Sequence, residues 1–216
     1  MPVINFLLMF FFLTSLLAAA SLLQGPATKP RPAAIPAPPA ALASAKPAAK
    51  PAVKPAPAAS IVWSASRPLT VADYLGRPGM GDRMASSTSS NINANAACRD
   101  FVFAGTAQAT FDPNTSWFRD AKNASAALLR HEQLHFDLTE VYARIMRQKL
   151  VAFSARANCL KLQPAFNILT KSVYAEWDRE QNRYDQDSNH GLNAARQAFW
   201  EKQTQQKLEA LKAFAQ

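Results

Sequence analysis

Ten of the chain's 15 prolines fall between Pro26 and Pro57, and this clustering decides how much of the 216-residue chain can fold. Ala and Pro occupy 24 of the 34 positions in residues 26–59, and the five charges there are all positive. Proline removes backbone donors and favours extended polyproline-like segments, while alanine has too little side chain to build a core. The tract reads as a semi-stiff spacer with a reach of roughly 100 Å at about 3 Å per residue. Its cations suit contact with cell-envelope polymer or anionic lipid, but its composition is that of a tether. About 150 residues remain for a core, enough for one domain.

Ahead of the spacer, residues 6–23 form an apolar run broken only by Thr14, Ser15 and Ser21. The run is long for the apolar region of a signal peptide and short for a membrane span. Ala18, Ala19 and Ala20 offer a cleavage site before Ser21. Residues 1–25 therefore read as a cleaved export signal or an uncleaved N-terminal anchor. Either outcome sends the rest of the chain out of the cytoplasm, into the periplasm or beyond. No charge occurs before Lys29 and no acidic residue before Asp73. The formal charge of +9 thus divides into +5 from the first 59 residues and +4 from the remainder. That distribution argues against a uniformly basic nucleic-acid binder, and it leaves membrane contact to the N-terminal segment.

The folded part, residues 60–216, changes character halfway. Strand-like pieces (IVWSAS, RDFVFAG, TAQATF) alternate with turn-rich stretches such as GRPGMGD and SSTSSNINAN. From about Ser116 the pattern is helical. A first helix over residues 121–153 carries Leu128, Leu134, Leu138, Val141, Tyr142, Ile145 and Leu150. A second opens at Pro164 and runs to about Tyr184, and a third runs from near Leu192 towards the C-terminus. These elements predict an α+β domain, a small antiparallel sheet packed on three main helices. Cys98 and Cys159, an even pair in an exported chain, predict a disulfide.

The first helix contains His131-Glu132-Gln133-Leu134-His135. At about 100° per residue, the two histidines project about 40° apart on one face. Two imidazole nitrogens can then bind one Zn²⁺, with Glu132 beside them to take a proton from the activated water and pass it to a leaving amine. Only three histidines occur in the chain, and two of them fall in this motif. A catalytic zinc needs a third protein ligand. His190, beside Gly191 in YDQDSNHG, is one candidate; Glu176, Glu180, Asp185 and Asp187 are the others. Glu140 lies about 140° around the helix from His135, and Asp137 faces farther away still, better placed for a supporting contact. Tyr184 is a candidate hydrogen-bond donor to a developing oxyanion, with packing at a helix end as its alternative. Tyr142 falls on the histidine face and is expected to pack beneath the metal.

The chain resembles a bacterial family, a domain of unknown function described as predicted secreted zinc-dependent proteases. The resemblance runs from about Ile61 to Trp200 and is carried by IVWSASRPLTVADYLGRP, SSTSSNI, LLRHEQLHFDLTEVYAR and YDQDSNHGLNAARQAFW. It implies that His131 and His135 are zinc ligands, Glu132 the catalytic base and His190 the third ligand. The family's usual last motif has threonine where this chain has Ser188, which keeps the hydroxyl. The expected activity is a zinc metallopeptidase acting on protein or peptide substrates. Two alternatives are a tethered envelope-binding module with structural or no metal, and a zinc hydrolase of peptidoglycan peptides.

Overall fold

The computed structural model describes residues 56–216. The expected export segment and all but the last four residues of the expected spacer lie outside them. Five strands and three long helices follow in order: β1 (Ile61–Val62), β2 (Ser86–Ser87), β3 (Ser90–Arg99), β4 (Val102–Phe111), β5 (Trp117–Phe118), α1 (Ala126–Ser154), α2 (Leu162–Ser188) and α3 (Ala194–Ala210). The α+β class expected from the sequence is the one observed. No helix among the described residues is long and apolar enough to cross a membrane.

The main sheet is antiparallel in the order β1-β4-β3, and its centre is a long hairpin with register Ser90↔Phe111 to Arg99↔Val102. β3 corrects the sequence reading, which placed SSTSSNINAN in turns. Its Ser, Asn and Ala residues have weak strand preference, but every second one faces the core and the whole strand pairs with β4. Only Ile92 on that face is large; the rest are small, which lets helices approach closely. A second correction follows: RDFVFAG is not one strand. Asp100 and Phe101 form a two-residue hairpin turn, with φ of 50° and 61°. A turn of this kind favours Gly at its second position, and a left-handed Phe there costs about 1–2 kcal/mol.

α1 lies across the sheet. Phe136, Val141, Ala143, Met146 and Leu150 pack against Ile92, Ala107, Ala109 and Phe111. Ser125 caps the helix by accepting from Leu128 N. α2 returns alongside α1 after a short connection, with Pro164 in its first turn, where a missing N–H costs nothing. Tyr174 of α2 donates to Ile92 O at 2.7 Å, tying the helix to the sheet. α3 starts at the Asn193 cap and ends near Leu208. There Glu140 Oε1 accepts from Arg144 (2.8 Å) and Arg147 (2.6 Å), and the two guanidiniums donate to the carbonyls of Leu208, Ala107 and Phe214. This buried network spends Glu140 on fastening the C-terminus. Trp63 donates to Asp137 Oδ1 at 2.8 Å, so Asp137 supports the first strand and not the metal site.

The expected disulfide is present: Cys98 at the end of β3 bonds Cys159 in the α1–α2 connection. It closes a loop of 61 residues in sequence separation, for which chain entropy predicts about 4 kcal/mol of stabilisation. The double variant Cys98→Ser/Cys159→Ser is expected to lower unfolding free energy by 2–4 kcal/mol, roughly, in denaturant titration. A change within error would show that the bridge does not limit the unfolded chain.

Candidate metal centre

The helical hairpin of α1 and α2 creates the site, because it brings the C-terminal turns of α2 back beside the N-terminal half of α1. His131 Nε2 lies 3.3 Å from His135 Nε2, and Asp185 Oδ1 lies 3.2 Å and 3.0 Å from them respectively. Donor atoms about 2.0–2.1 Å from a tetrahedral ion stand about 3.3–3.4 Å apart. Two imidazoles and a carboxylate at this spacing therefore fit a metal ion without rearrangement, and these three residues form a group able to hold one. Asp185 was one of four carboxylate candidates. Glu180 instead pairs with Lys207, and Asp187 with Arg196 at 2.5 Å.

His190 stands at the rim of the same cleft, half exposed, with Nδ1 3.5 Å from Asp185 Oδ1. Its backbone explains the NHG sequence. Asn189, His190 and Gly191 all have positive φ (50°, 52° and 79°), and Asn189 caps α2 in the left-handed conformation. Gly191 also passes close over His131: a Cβ there would come within 2.9 Å of His131 Cβ. The turn is thus built to lie against the first histidine. A left-handed His is a local strain of the kind that gathers at functional sites.

Glu132 lines the cleft between the histidines and is almost fully buried. Its Oε1 accepts a 2.6 Å hydrogen bond from Ser86 Oγ of β2, while Oε2 has no partner among the described residues. Residues Met84 to Thr88 form the opposite wall of a cleft of about 260 Å³. β2 is joined to β5 in the register Ser86↔Phe118.

A further layer orients the histidines. Gln181 Nε2 donates to His135 O (2.9 Å) and Thr139 Oγ1 (3.1 Å), which turns its Oε1 towards His135 Nδ1 at 2.7 Å. In a neutral His135 the proton therefore sits on Nδ1, and the Nε2 lone pair faces His131 and Asp185. Trp177 and Ser90 complete the bonds of Thr139. Sequence reasoning missed Gln181 and Ser86. Gln181 had one signal, since it lies one helical turn before Asp185 and shares its face; Ser86 had none.

Tyr184 takes a different place from the expected oxyanion donor. Its hydroxyl is buried and donates to Gln197 Oε1 (2.6 Å) and His131 O (3.2 Å). Its ring stacks on His131 with centroids 4.8 Å apart. It does not line the cleft. Burial pushes its acidity far below that of an ordinary tyrosine, which fits a wall and not a proton donor. Tyr142 is likewise pushed up, to about 12, by burial and by Glu180 and Glu176. It lines a different, shallow surface with these two carboxylates.

Burial disfavours charge on Asp185, but hydrogen bonds from His131 and His135 outweigh it and hold the carboxyl well below the usual range. Burial likewise disfavours protonated His135, and the Asp185 carboxylate outweighs it, raising that pKa. Protonation of His135 and ionisation of Asp185 therefore favour each other.

Residues 104–191 match a family described as "Bacterial protein of unknown function (DUF922)". The match begins inside β4, takes in α1 and α2 and ends at Gly191, a narrower span than the resemblance read from the sequence. It contains His131, Glu132, His135, Asp185 and His190, and its description names no activity. No curated protein and no solved structure matches the chain.

Two measurements test the centre. The raised His135 pKa contributes stability below about pH 6.5 that fades as pH rises through the folded value. The depressed Asp185 pKa contributes stability above about pH 4 that is lost as pH falls. As far as this site decides it, the metal-free protein is expected to be most stable between those limits, whereas metal-induced stabilisation grows as pH rises and the imidazoles lose their protons. Parallel melting series with and without metal check both trends. Asp185→Ala is expected to abolish stoichiometric metal, and Gln181→Ala to weaken it about 10–100-fold, by metal titration.

Proposed function

We infer that this chain is an exported zinc-dependent hydrolase of peptide bonds. The observation that carries the reading is the unpartnered Glu132 Oε2, held in a cleft beside three converging ligand atoms. Zinc suits two imidazoles and one carboxylate with an open fourth position. When bound, it supplies a Lewis acid that polarises a carbonyl and makes water acidic near neutral pH.

The chain's own residues supply the rest. His131, His135 and Asp185 hold the ion through their inward-facing atoms. Ser86 fixes Glu132 through Oε1, leaving Oε2 to accept a proton from the attacking water as its oxygen adds to the carbonyl carbon. The same oxygen then delivers that proton to the amine as the C–N bond breaks. The products are a carboxylic acid and an amine, with one water consumed. Tyr184 and Gln181 serve the ligands and do not touch substrate. His190 lines the cleft at its rim, beside Asp185 and outside the three-residue ligand group, where substrate would lie. The Cys98–Cys159 bond supports an oxidising compartment outside the cytoplasm, in keeping with the N-terminal leader.

Glu132→Gln is expected to bind zinc with unchanged stoichiometry and to lose at least a hundredfold in hydrolysis of an unstructured protein or peptide library, roughly the scale of a lost general base. Absence of turnover by the zinc-loaded parent protein would remove the hydrolase reading and favour a binding module, and retained turnover in Glu132→Gln would remove Glu132 as the base. His190→Ala, assayed beside it, assigns His190 to the metal if zinc is lost and to substrate if zinc stays while turnover falls.

A further inference from the structure

The end of the molecule remote from the cleft carries an unusual surface. Phe101 and Val102 at the β3–β4 turn are 81% and 68% exposed, and Leu160 in the α1–α2 connection is 83% exposed. The Cys98–Cys159 bond holds these two projections together, since Cys98 lies three residues before Phe101 and Cys159 adjoins Leu160. Ile168 on α2, 73% exposed, lies in a groove shared with Lys149 and Arg156.

Charge around it is one-sided. No Asp or Glu occurs between Glu140 and Glu176, a stretch that covers the second half of α1 and the first half of α2. Lys149, Arg156, Lys161 and Lys171 lie within that stretch, and Arg99 adjoins the hairpin turn. None of the five forms an ion pair among the described residues. Asp100 is the one acid at the tip.

The turn adds an independent observation. Phe101 holds a left-handed conformation that Gly would adopt without strain, yet its ring makes no contribution to the core. An aromatic side chain kept at a strained and exposed position is one that acts outside the fold.

We propose that this tip docks on an anionic lipid surface, with Phe101, Val102 and Leu160 entering the headgroup boundary and the surrounding cations facing lipid phosphates. Projecting apolar side chains with unpaired cations on the same elements combine the two contributions that hold peripheral proteins on membranes, apolar insertion and attraction to anionic headgroups. The geometry of the chain allows it. β1, where the spacer enters the fold, pairs with the far end of β4 at Phe111, about 30 Å from Val102. The cleft lies at the Phe111 end, so docking by the tip would hold it about 30 Å off the bilayer, open to substrates in solution. The proposal does not depend on the hydrolase reading.

The test uses the full chain on vesicles, with a probe that reports the tip alone and so ignores the leader. Phe101→Trp adds emission over the existing tryptophans at an exposed position where the fold is insensitive. In vesicles containing phosphatidylglycerol with brominated acyl chains, the added emission is expected to be quenched. Quenching should be absent with phosphatidylcholine alone or in high salt. Arg156→Gln and Lys161→Gln, placed in that background, should each weaken the tip's partitioning about fivefold. Phe101→Gly should raise Tm by about 2–4 °C, because it relieves the turn, while removing the vesicle-dependent protection of residues 99–103 from hydrogen exchange. Unchanged emission in anionic brominated vesicles would overturn the proposal. So would protection of the tip that depends on protein concentration without lipid, which would make the surface a protein interface.

Discussion

Three electron-rich atoms, the Nε2 atoms of His131 and His135 and one oxygen of Asp185, lie within 3.3 Å of one another. Such a cluster is stable only if a cation is shared among them, either a proton or a metal ion. Much of the surrounding structure keeps them in place. Tyr184 stacks on His131 and bonds its carbonyl, Trp200 packs behind Tyr184, and Gln181 grips His135 at both its ring and its backbone. The site therefore depends on the register of α2 against α1, and the short connection between them, pinned by Cys98–Cys159, limits that register.

The two ends of the helical hairpin carry different physics. At one end, buried polar groups converge on a cleft and nearly all of them are satisfied; the exceptions include Glu132 Oε2 and His131 Nδ1. At the other, apolar side chains face outward among unpaired cations, and the disulfide ties the β3–β4 turn to the α1–α2 connection. A buried lattice of Glu140, Arg144 and Arg147 lies between them and locks the C-terminus to α1. Glu140 and Glu132 sit on the same helix with opposite fates. Glu140 binds two guanidiniums through one oxygen, while Glu132 takes a single hydroxyl and lines the cleft.

The pairing of His131 with His135, the flanking position of Glu132 and the helical character of their segment were legible because they depend only on helical period. The Cys98–Cys159 bond was legible from count and compartment. The β3 strand was not, because Ser, Asn and Ala acquire strand geometry from their partner strand and not from local preference. For Tyr184 the sequence left two places open, and packing decided between them. Sequence showed it close to His190 in number, and only packing showed its hydroxyl turned inward to Gln197.

The sequence by itself determined which helix carries the His131, Glu132 and His135 set, and that a bridged α+β domain follows an Ala/Pro-rich tract. It did so through periodicity, scarcity of histidine and uneven composition, all of which are local or countable. Tertiary structure alone decided that Asp185 completes the triad of ligand atoms, that Gln181 sets the His135 proton, and that Ser86 leaves one Glu132 oxygen free. Those choices rest on contacts across 46 to 50 residues of chain, and no local pattern encodes the distance between two helices.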